Sequence, residues 1–196
     1  MKKIVSILFI MFVGFATNLI AEDIQSLKRI SIGEKNSKIT IIAYESLTCG
    51  HCADFHKNVF PNLKKDFIDK GLVRIEFRHF PLDIAAFNAS KIGQCNNDGN
   101  ADVLNILYSG QKKWARGKTP EEATKYLKKF LKDEGVTLDF EKCLADKAIE
   151  DYVLNDRIEG VKKFKVNATP TIIINDKKFD KTLNYKNIKK YLEKLI

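Results

Sequence analysis

Apolar residues follow first a strand-like and then a helix-like period along the first third of this 196-residue chain. Residues 38–45 are rich in β-branched side chains and predict a buried strand. In residues 52–70 an apolar side chain recurs at every fourth position, which predicts a helix that Pro61 kinks and Gly71 ends. Residues 73–80 alternate apolar and polar side chains and predict a second strand. The order strand, helix, strand predicts a βαβ unit with parallel strands.

From residue 82 onward only helical patterns follow, as far as residue 164. One helix is predicted around residues 103–114. The clearest helix start is Thr119 as N-cap, with Pro120 at the first helical position and Glu122 closing a capping box. A helical region therefore interrupts the sheet.

The sheet pattern returns near the end of the chain. Residues 139–164 are predicted to be helical in two segments, and residues 171–175 restore a strand. A turn at residues 176–177 lets residues 178–179 pair back. A last amphipathic helix is predicted from Asn184. The fold class is therefore α/β, with one sheet completed after an all-helical insert.

The first residues have the composition of a secretory signal peptide. Lys2 and Lys3 precede a nearly continuous apolar run over residues 4–20, and Ala21 ends a plausible cleavage site, with Ala16 as a weaker one. Residues 1–21 are therefore predicted to be a signal peptide. The run is somewhat short for a bilayer span of ~20 residues, and an uncleaved membrane anchor stays open as the alternative.

Charge and length exclude some classes of function. The chain carries a net charge of +9, and without residues 1–21 it has 32 basic and 25 acidic residues, a net charge of +7. The lysines are scattered along predicted polar helix faces, which indicates a solvated surface and no nucleic-acid partner. The mature length suits one domain with an elaboration.

Cys49-Gly50-His51-Cys52, between the first strand and the first helix, is the main candidate for chemistry. Free backbone N–H groups at a helix start favour a Cys49 thiolate, and a protonated His51 would add positive charge. Cys52 lies one helical turn deeper and is the predicted resolving thiol. The alternatives are an inert disulfide or a metal site of Cys49, Cys52 and His56. His56 and His79 are otherwise interpreted as surface or packing histidines.

Two further cysteines, Cys95 and Cys143, lie in the predicted helical insert. Export places them in an oxidising compartment, where we expect them to form a structural disulfide between two helices. Two buried free thiols or a second redox pair remain alternatives.

The chain resembles the DsbA-like branch of the thioredoxin superfamily, which consists of secreted bacterial thiol:disulfide oxidoreductases. The resemblance is carried by the cysteine pair with its preceding strand, by residues 78–82, by residues 85–95 and by Ala168-Thr169-Pro170-Thr171. It implies a thioredoxin fold with an inserted all-helical subdomain. The halves of that fold would occupy residues 22–82 and 165–196, and the insert residues 83–164.

The resemblance also implies a role for Thr169 and Pro170. In the family this loop contains a cis-proline that faces the cysteines, and the residue before it offers backbone hydrogen bonds to a substrate strand. The alternative is that Pro170 only begins an edge strand.

Two departures from the family pattern bear on function. Gly50-His51 is the dipeptide typical of protein disulfide isomerases, so oxidase and isomerase roles are harder to separate. Relatives often carry a carboxylate six residues before the first cysteine, where this chain has Ala43. Glu45 points to the same face of the strand, and we hypothesise that it serves as the buried proton shuttle for Cys52. The alternative is an exposed glutamate at the strand end.

The sequence thus predicts a periplasmic oxidase that acts through Cys49 and Cys52 without a bound cofactor. Its expected partners are reduced or misoxidised exported proteins and a membrane protein that reoxidises it. No dimerisation domain is recognisable, which favours a monomer. The competing interpretations are a disulfide isomerase or reductase using the same pair, an exported metal-binding chaperone using Cys49, Cys52 and His56, and a non-catalytic binding module.

Overall fold

A computed structural model describes residues 27–96 and 98–196 and has a five-stranded sheet at its centre. The predicted signal peptide lies outside the described residues. In chain order the strands are β1 (Ser31–Ile32), β2 (Ile39–Glu45), β3 (Val73–His79), β4 (Thr171–Ile174) and β5 (Lys177–Lys178). Their order across the sheet is β1-β3-β2-β4-β5.

The predicted pair of parallel strands is confirmed. β2 runs parallel to β3 from Ile39 opposite Val73 to Glu45 opposite His79. The other pairs, β1 with β3, β2 with β4 and β4 with β5, are antiparallel. β3 alternates buried and half-buried side chains, as its sequence predicted. β2 is more fully buried, since structure covers both of its faces.

The predicted helix over residues 52–70 forms, but in three pieces. They are α1 (Gly50–Asn58), α2 (Phe60–Leu63) and a π-helical turn (Lys64–Ile68). The break falls at Val59, just before Pro61, which sits in the first turn of α2. A proline has no N–H to donate and is accepted where a helix begins, so the predicted kink becomes a restart of the helix.

The inserted region contains helices and, among its described residues, no strand. The helices are α3 (Ile84–Gln94), α4 (Asp102–Ser109), α5 (Gln111–Trp114), α6 (Pro120–Asp133), α7 (Phe140–Ala145) and α8 (Lys147–Phe164). Thr119 caps α6 as predicted, accepting a hydrogen bond from the Glu122 amide. The helix predicted around 103–114 is divided at Gly110, where a side chain would collide with Phe130: an added Cβ would lie 1.9 Å from its ring.

After α8 the chain returns to the sheet as predicted. β4 begins at Thr171, and β5 lies at Lys177–Lys178, one residue earlier than the predicted return strand. The last helix, α9 (Tyr185–Leu192), begins after Asn184, whose side chain caps it. The short β1 was not predicted, because two residues are too few to show a period.

The main core lies on the face of the sheet that carries α1 and the insert helices before α8. It includes Ile41, Ala43, Cys52, Phe55 and Phe77, all at most 3% exposed. A smaller core on the other face joins Tyr44 to residues near the end of α8. Within the described part of the chain, no helix combines the length and apolar character needed to span a bilayer.

Candidate functional site

Cys49 lies at the N-cap of α1, directly after the loop that leaves β2. Its backbone is extended (φ −76°, ψ 120°), and no side chain caps the helix at this position. The Cys49 amide donates to the Ser46 carbonyl, and the Cys49 carbonyl accepts from the Ala53 amide. The sulfur is therefore left beside the first free N–H groups of α1.

The pKa of Cys49 is lowered from 9.0 to about 5. The largest cause is a hydrogen bond from the Cys52 thiol, and further hydrogen bonds come from Thr169 and from the backbone N–H groups of Cys52 and His51. Partial burial acts in the opposite direction and is outweighed. At neutral pH the Cys49 side chain is consequently a thiolate, the form that attacks disulfides.

Cys52 is fully buried, at 0% exposure. Burial raises its pKa far above the usual range, and the bond to Cys49 and the charge of Glu45 raise it further. Both cysteines are free thiols in this structure. One turn of helix therefore separates an accessible thiolate from a buried thiol that keeps its proton.

The loop that precedes β4 lies against Cys49, although it is distant in sequence. The peptide bond between Thr169 and Pro170 is cis. The Thr169 carbonyl lies 3.3 Å from Cys49 Sγ and accepts the thiol hydrogen bond when the sulfur is protonated. The cis-proline that the family resemblance implied is confirmed, and the alternative of a simple edge-strand start is wrong.

A groove of about 450 Å³ runs along the same side of α1. Its wall includes the exposed His51 together with Phe55, Pro170 and Tyr185. The contribution of His51 to the acidity of Cys49 is a hydrogen bond from its backbone N–H. His51 itself lies in the groove wall, two residues after Cys49.

Three polar contacts that the sequence did not predict fasten the cysteine loop to the insert. The Gln111 side chain donates to the carbonyls of Leu47 and Cys49, both at 2.9 Å. The Thr48 hydroxyl donates to Asp83 at 2.7 Å. Asp83 could have been found from the sequence as a typical N-cap residue before α3. Gln111 has no such sequence signal, because its contacts depend on how the insert packs against the cysteine loop.

Glu45 is buried at the end of β2, with 5% exposure. Its Oε2 lies 2.8 Å from His56 Nε2 on α1. The alternative of an exposed strand-end glutamate is therefore wrong. His56 is not a surface residue either: it is 9% exposed, and its ring stacks on Tyr108 at a centroid distance of 4.0 Å.

The described residues do not bring together the predicted alternative metal site. No three histidine, cysteine, aspartate or glutamate side chains within residues 27–96 and 98–196 are placed so that they could hold a metal ion. His56 Nε2 is engaged by Glu45.

Cys95 and Cys143 form a disulfide, with their Cα atoms 5.5 Å apart. The bond joins the end of α3 to α7 and closes a separation of 48 residues. It lies within the insert, and neither cysteine takes part in the contacts around Cys49.

Comparison with known proteins gives matches over most of the chain. A family model described as Thioredoxin matches residues 25–194. The crystal structure of Wolbachia pipientis alpha-DsbA1 superposes with a TM-score of 0.75 at 28% identity, covering 88% of this chain and 95% of that one.

Two curated relatives match at similar levels. A Rickettsia bellii protein named "Putative protein-disulfide oxidoreductase" is 32% identical over 151 residues, which cover 74% of this chain and 56% of that protein. The chain thus spans little more than half the length of this relative. Disulfide bond formation protein D of Bacillus subtilis is 28% identical over 176 residues, covering 83% of this chain and 75% of that protein.

Proposed function

This chain belongs to the thioredoxin family, and from that premise we propose that it is a periplasmic thiol:disulfide oxidoreductase that introduces disulfides into exported proteins. Its structure is of the DsbA type, a thioredoxin-fold sheet with an inserted helical region. We place that insert at residues 83–164.

The stabilised thiolate of Cys49 is the observation that carries this proposal. Stabilising a thiolate stabilises the reduced form of the pair, and this makes the Cys49–Cys52 disulfide a stronger oxidant. A low pKa also makes Cys49 a good leaving group. Both effects favour transfer of the disulfide from the Cys49–Cys52 pair to a substrate protein.

The reaction begins with a thiolate of the substrate attacking Cys49 Sγ in the oxidised protein. The bond between Cys49 and Cys52 breaks, the electron pair goes to Cys52, and a mixed disulfide joins Cys49 to the substrate. A second substrate thiolate then attacks the substrate sulfur of this bond. Cys49 leaves as the thiolate that the start of α1 stabilises.

Substrate binding is assigned to the groove beside the cysteines. Thr169 and Pro170 line it, and a backbone strand of the substrate would hydrogen-bond beside the cis-proline. His51 faces the same groove. The partners would be reduced exported proteins and a membrane protein that reoxidises the cysteine pair, with the chain acting as a monomer.

The reduction potential of the Cys49–Cys52 pair tests this proposal. Equilibration with glutathione buffers, followed by mass analysis of trapped thiols, should give about −120 mV, the value of a strong oxidant. A value near about −270 mV would contradict the oxidase and favour the reductase or isomerase.

A substrate assay complements the potential. The oxidised protein should oxidise a reduced, unfolded secretory protein one disulfide at a time, and Cys49→Ser should abolish this reaction. A Cys95→Ser/Cys143→Ser variant serves as the control that retains it.

A further inference from the structure

A second and larger depression borders another side of α1. This insert cleft has a volume of about 920 Å³ and is lined from residues 50–64 on one side and from residues 105–113 of the insert on the other. Ligand sites in proteins commonly have volumes of ~300–1,000 Å³. The insert cleft is therefore large enough to hold a short segment of another chain.

The wall of the insert cleft is strongly basic. Among the described residues that line it, the charged side chains are those of Lys57, Lys64, Lys112, Lys113 and Asp54. Four lysines thus face one carboxylate. Like charges around one cleft repel each other, and a bound anion would relieve that repulsion.

Two of the four lysines are available to a ligand. Lys64 and Lys113 are already paired with carboxylates outside the cleft, at 2.5 and 3.4 Å. Lys57 and Lys112 form no ion pair within the described part of the chain, and both are exposed. A carboxylate entering the cleft would therefore meet two lysines without competing partners.

These lysines do not serve the acidity of the reactive sulfur. Hydrogen bonds lower the pKa of Cys49, and no lysine of the cleft is among the main causes. Their charge is therefore directed at something other than the thiolate.

Aromatic side chains close the bottom of the cleft. Phe60 and Tyr108 line it and are only 6% and 5% exposed, and the His56 ring stacks on Tyr108 at a centroid distance of 4.0 Å. A cleft with charges of one sign and low-dielectric walls focuses the electric field and raises the local concentration of the opposite charge. The insert cleft is built to attract anions.

The insert cleft and the substrate groove meet at the reactive cysteine. Gly50 lines the cleft, His51 lines the groove, and both directly follow Cys49. Gln111 lines the cleft and donates to the Cys49 carbonyl at 2.9 Å. A substrate strand that lies beside the cis-proline and presents a cysteine to Cys49 can therefore continue into the cleft.

From this arrangement we propose that the insert cleft binds an acidic segment of the substrate protein, close in sequence to the cysteine that attacks Cys49. Lys57 and Lys112 would bind carboxylates of this segment. The inference rests on the proposed disulfide exchange and names the reduced exported proteins that the chain oxidises fastest, those with acidic residues beside their cysteines. Attraction of this kind mainly raises the rate of association.

Two matched peptides test the proposal. Both carry the same two cysteines, flanked by aspartate and glutamate in the acidic peptide and by asparagine and glutamine in the amide peptide. Each is mixed with the oxidised protein and quenched in acid at intervals, and mass spectrometry gives the rate of peptide oxidation. Neighbouring carboxylates also change the reactivity of a peptide thiol, so the ratio of the two rates is compared between protein variants.

The ratio of acidic to amide rate should be about 10-fold higher for the wild type than for Lys57→Gln/Lys112→Gln, the lower end of electrostatic rate enhancement. Lys57→Glu/Lys112→Glu should lower the ratio further. The rate for the amide peptide should stay within about twofold of the wild type in Lys57→Gln/Lys112→Gln, which shows that the site is folded. In about 1 M salt the ratios of wild type and variants should converge.

Lys125→Gln/Lys162→Gln is the matched control, because it removes the same charge from exposed lysines of α6 and α8 that do not line the cleft. It should keep the wild-type ratio. An unchanged ratio in Lys57→Gln/Lys112→Gln would overturn the inference, as would an equal fall in the control, while the proposed function would stand. If the wild-type protein oxidises neither peptide, the proposed function is wrong and the inference falls with it.

Discussion

At the scale of single residues, Cys49 owes its acidity to hydrogen bonds. A thiol, a threonine and two backbone N–H groups lower its pKa, and no cationic side chain is among the main causes. These donors are fixed by α1 and by the cis-proline loop. The acidity of Cys49 therefore depends on hydrogen bonds, above all the one from the Cys52 thiol, more than on neighbouring charges.

The lowered pKa makes the stability of the reduced protein depend on pH. Because the pKa of Cys49 falls from 9.0 to about 5 on folding, the folded form binds fewer protons than the unfolded form between these values. We expect the free energy of unfolding of the reduced protein to rise with pH across this window. The contribution is lost as pH falls through about 5.

Urea unfolding of the reduced protein at a series of pH values measures this effect, and thiolate absorbance at 240 nm gives the pKa directly. Reduced Cys49→Ser is the control and should show a flatter dependence. Equal slopes for the two proteins would contradict the prediction.

Gln111 is the residue whose loss should most affect the cysteine loop. Gln111→Leu removes two hydrogen bonds to the Leu47 and Cys49 carbonyls while keeping a similar volume. The Leu47 carbonyl would then lose its donor, while the Cys49 carbonyl would keep the hydrogen bond from the Ala53 amide. We therefore expect a loss of about 1–3 kcal/mol in the free energy of unfolding. Chemical denaturation measures the loss, and Lys112→Leu, at the exposed neighbouring position, should change stability little.

At the scale of the elements, the long helix α8 approaches the sheet closely at a glycine. Gly160 faces the Tyr44 ring, and a Cβ there would lie 2.7 Å from Cε1. The same helix carries Asp156, which binds Arg29 through both carboxylate oxygens. Asp156 also accepts a hydrogen bond from the backbone N–H of His79. Close approach and a buried ion pair together fix α8 against β2 and β3.

Gly160→Ala tests this packing. Alanine is the better helix former by about 1 kcal/mol, but the clash with the buried Tyr44 should outweigh this gain. We expect a net loss of about 1–3 kcal/mol in the free energy of unfolding. Gly50→Ala, also in a helix, has nothing within 4 Å of the new methyl group and should be neutral or slightly stabilising.

At the scale of the whole molecule, the helical insert is tied together by one disulfide and tied to the cysteine loop by side chains. The Cys95–Cys143 bond joins α3 to α7, and Gln111 and Asp83 reach the loop from α5 and the start of α3. The insert therefore acts as a rigid support for Cys49.

Removal of the structural disulfide should lower stability without changing the chemistry of Cys49. Cys95→Ser/Cys143→Ser releases a constraint across 48 residues, and we expect a loss of ~2–4 kcal/mol. Thermal or urea unfolding measures the loss. Alkylation of Cys49 in the native protein at neutral pH should proceed at the wild-type rate, and a large change would show that the insert does reach the reactive thiol through this bond.

Local patterns were sufficient to predict most elements and the reactive pair. Two strands, the helix after Cys49, the Thr119 cap and the return to the sheet at Thr171 each depend on neighbours within a few positions along the chain. The periodicity of apolar side chains and the identity of helix-capping residues are both visible within a few consecutive positions of the sequence. The position of Cys49 at a helix start could also be predicted from local sequence, since it depends only on where α1 begins.

The tertiary structure decided what surrounds the two sulfurs. The Thr169 carbonyl reaches Cys49 across 120 residues of sequence, and the Gln111 side chain across 62. Whether Glu45 is exposed or buried, and whether it meets His56, depends on how α1 and the insert dock on the end of β2. Burial and long-range contact have no local period, so the sequence alone determined the pair of cysteines, while the folded chain set the acidity of Cys49 and the burial of Cys52.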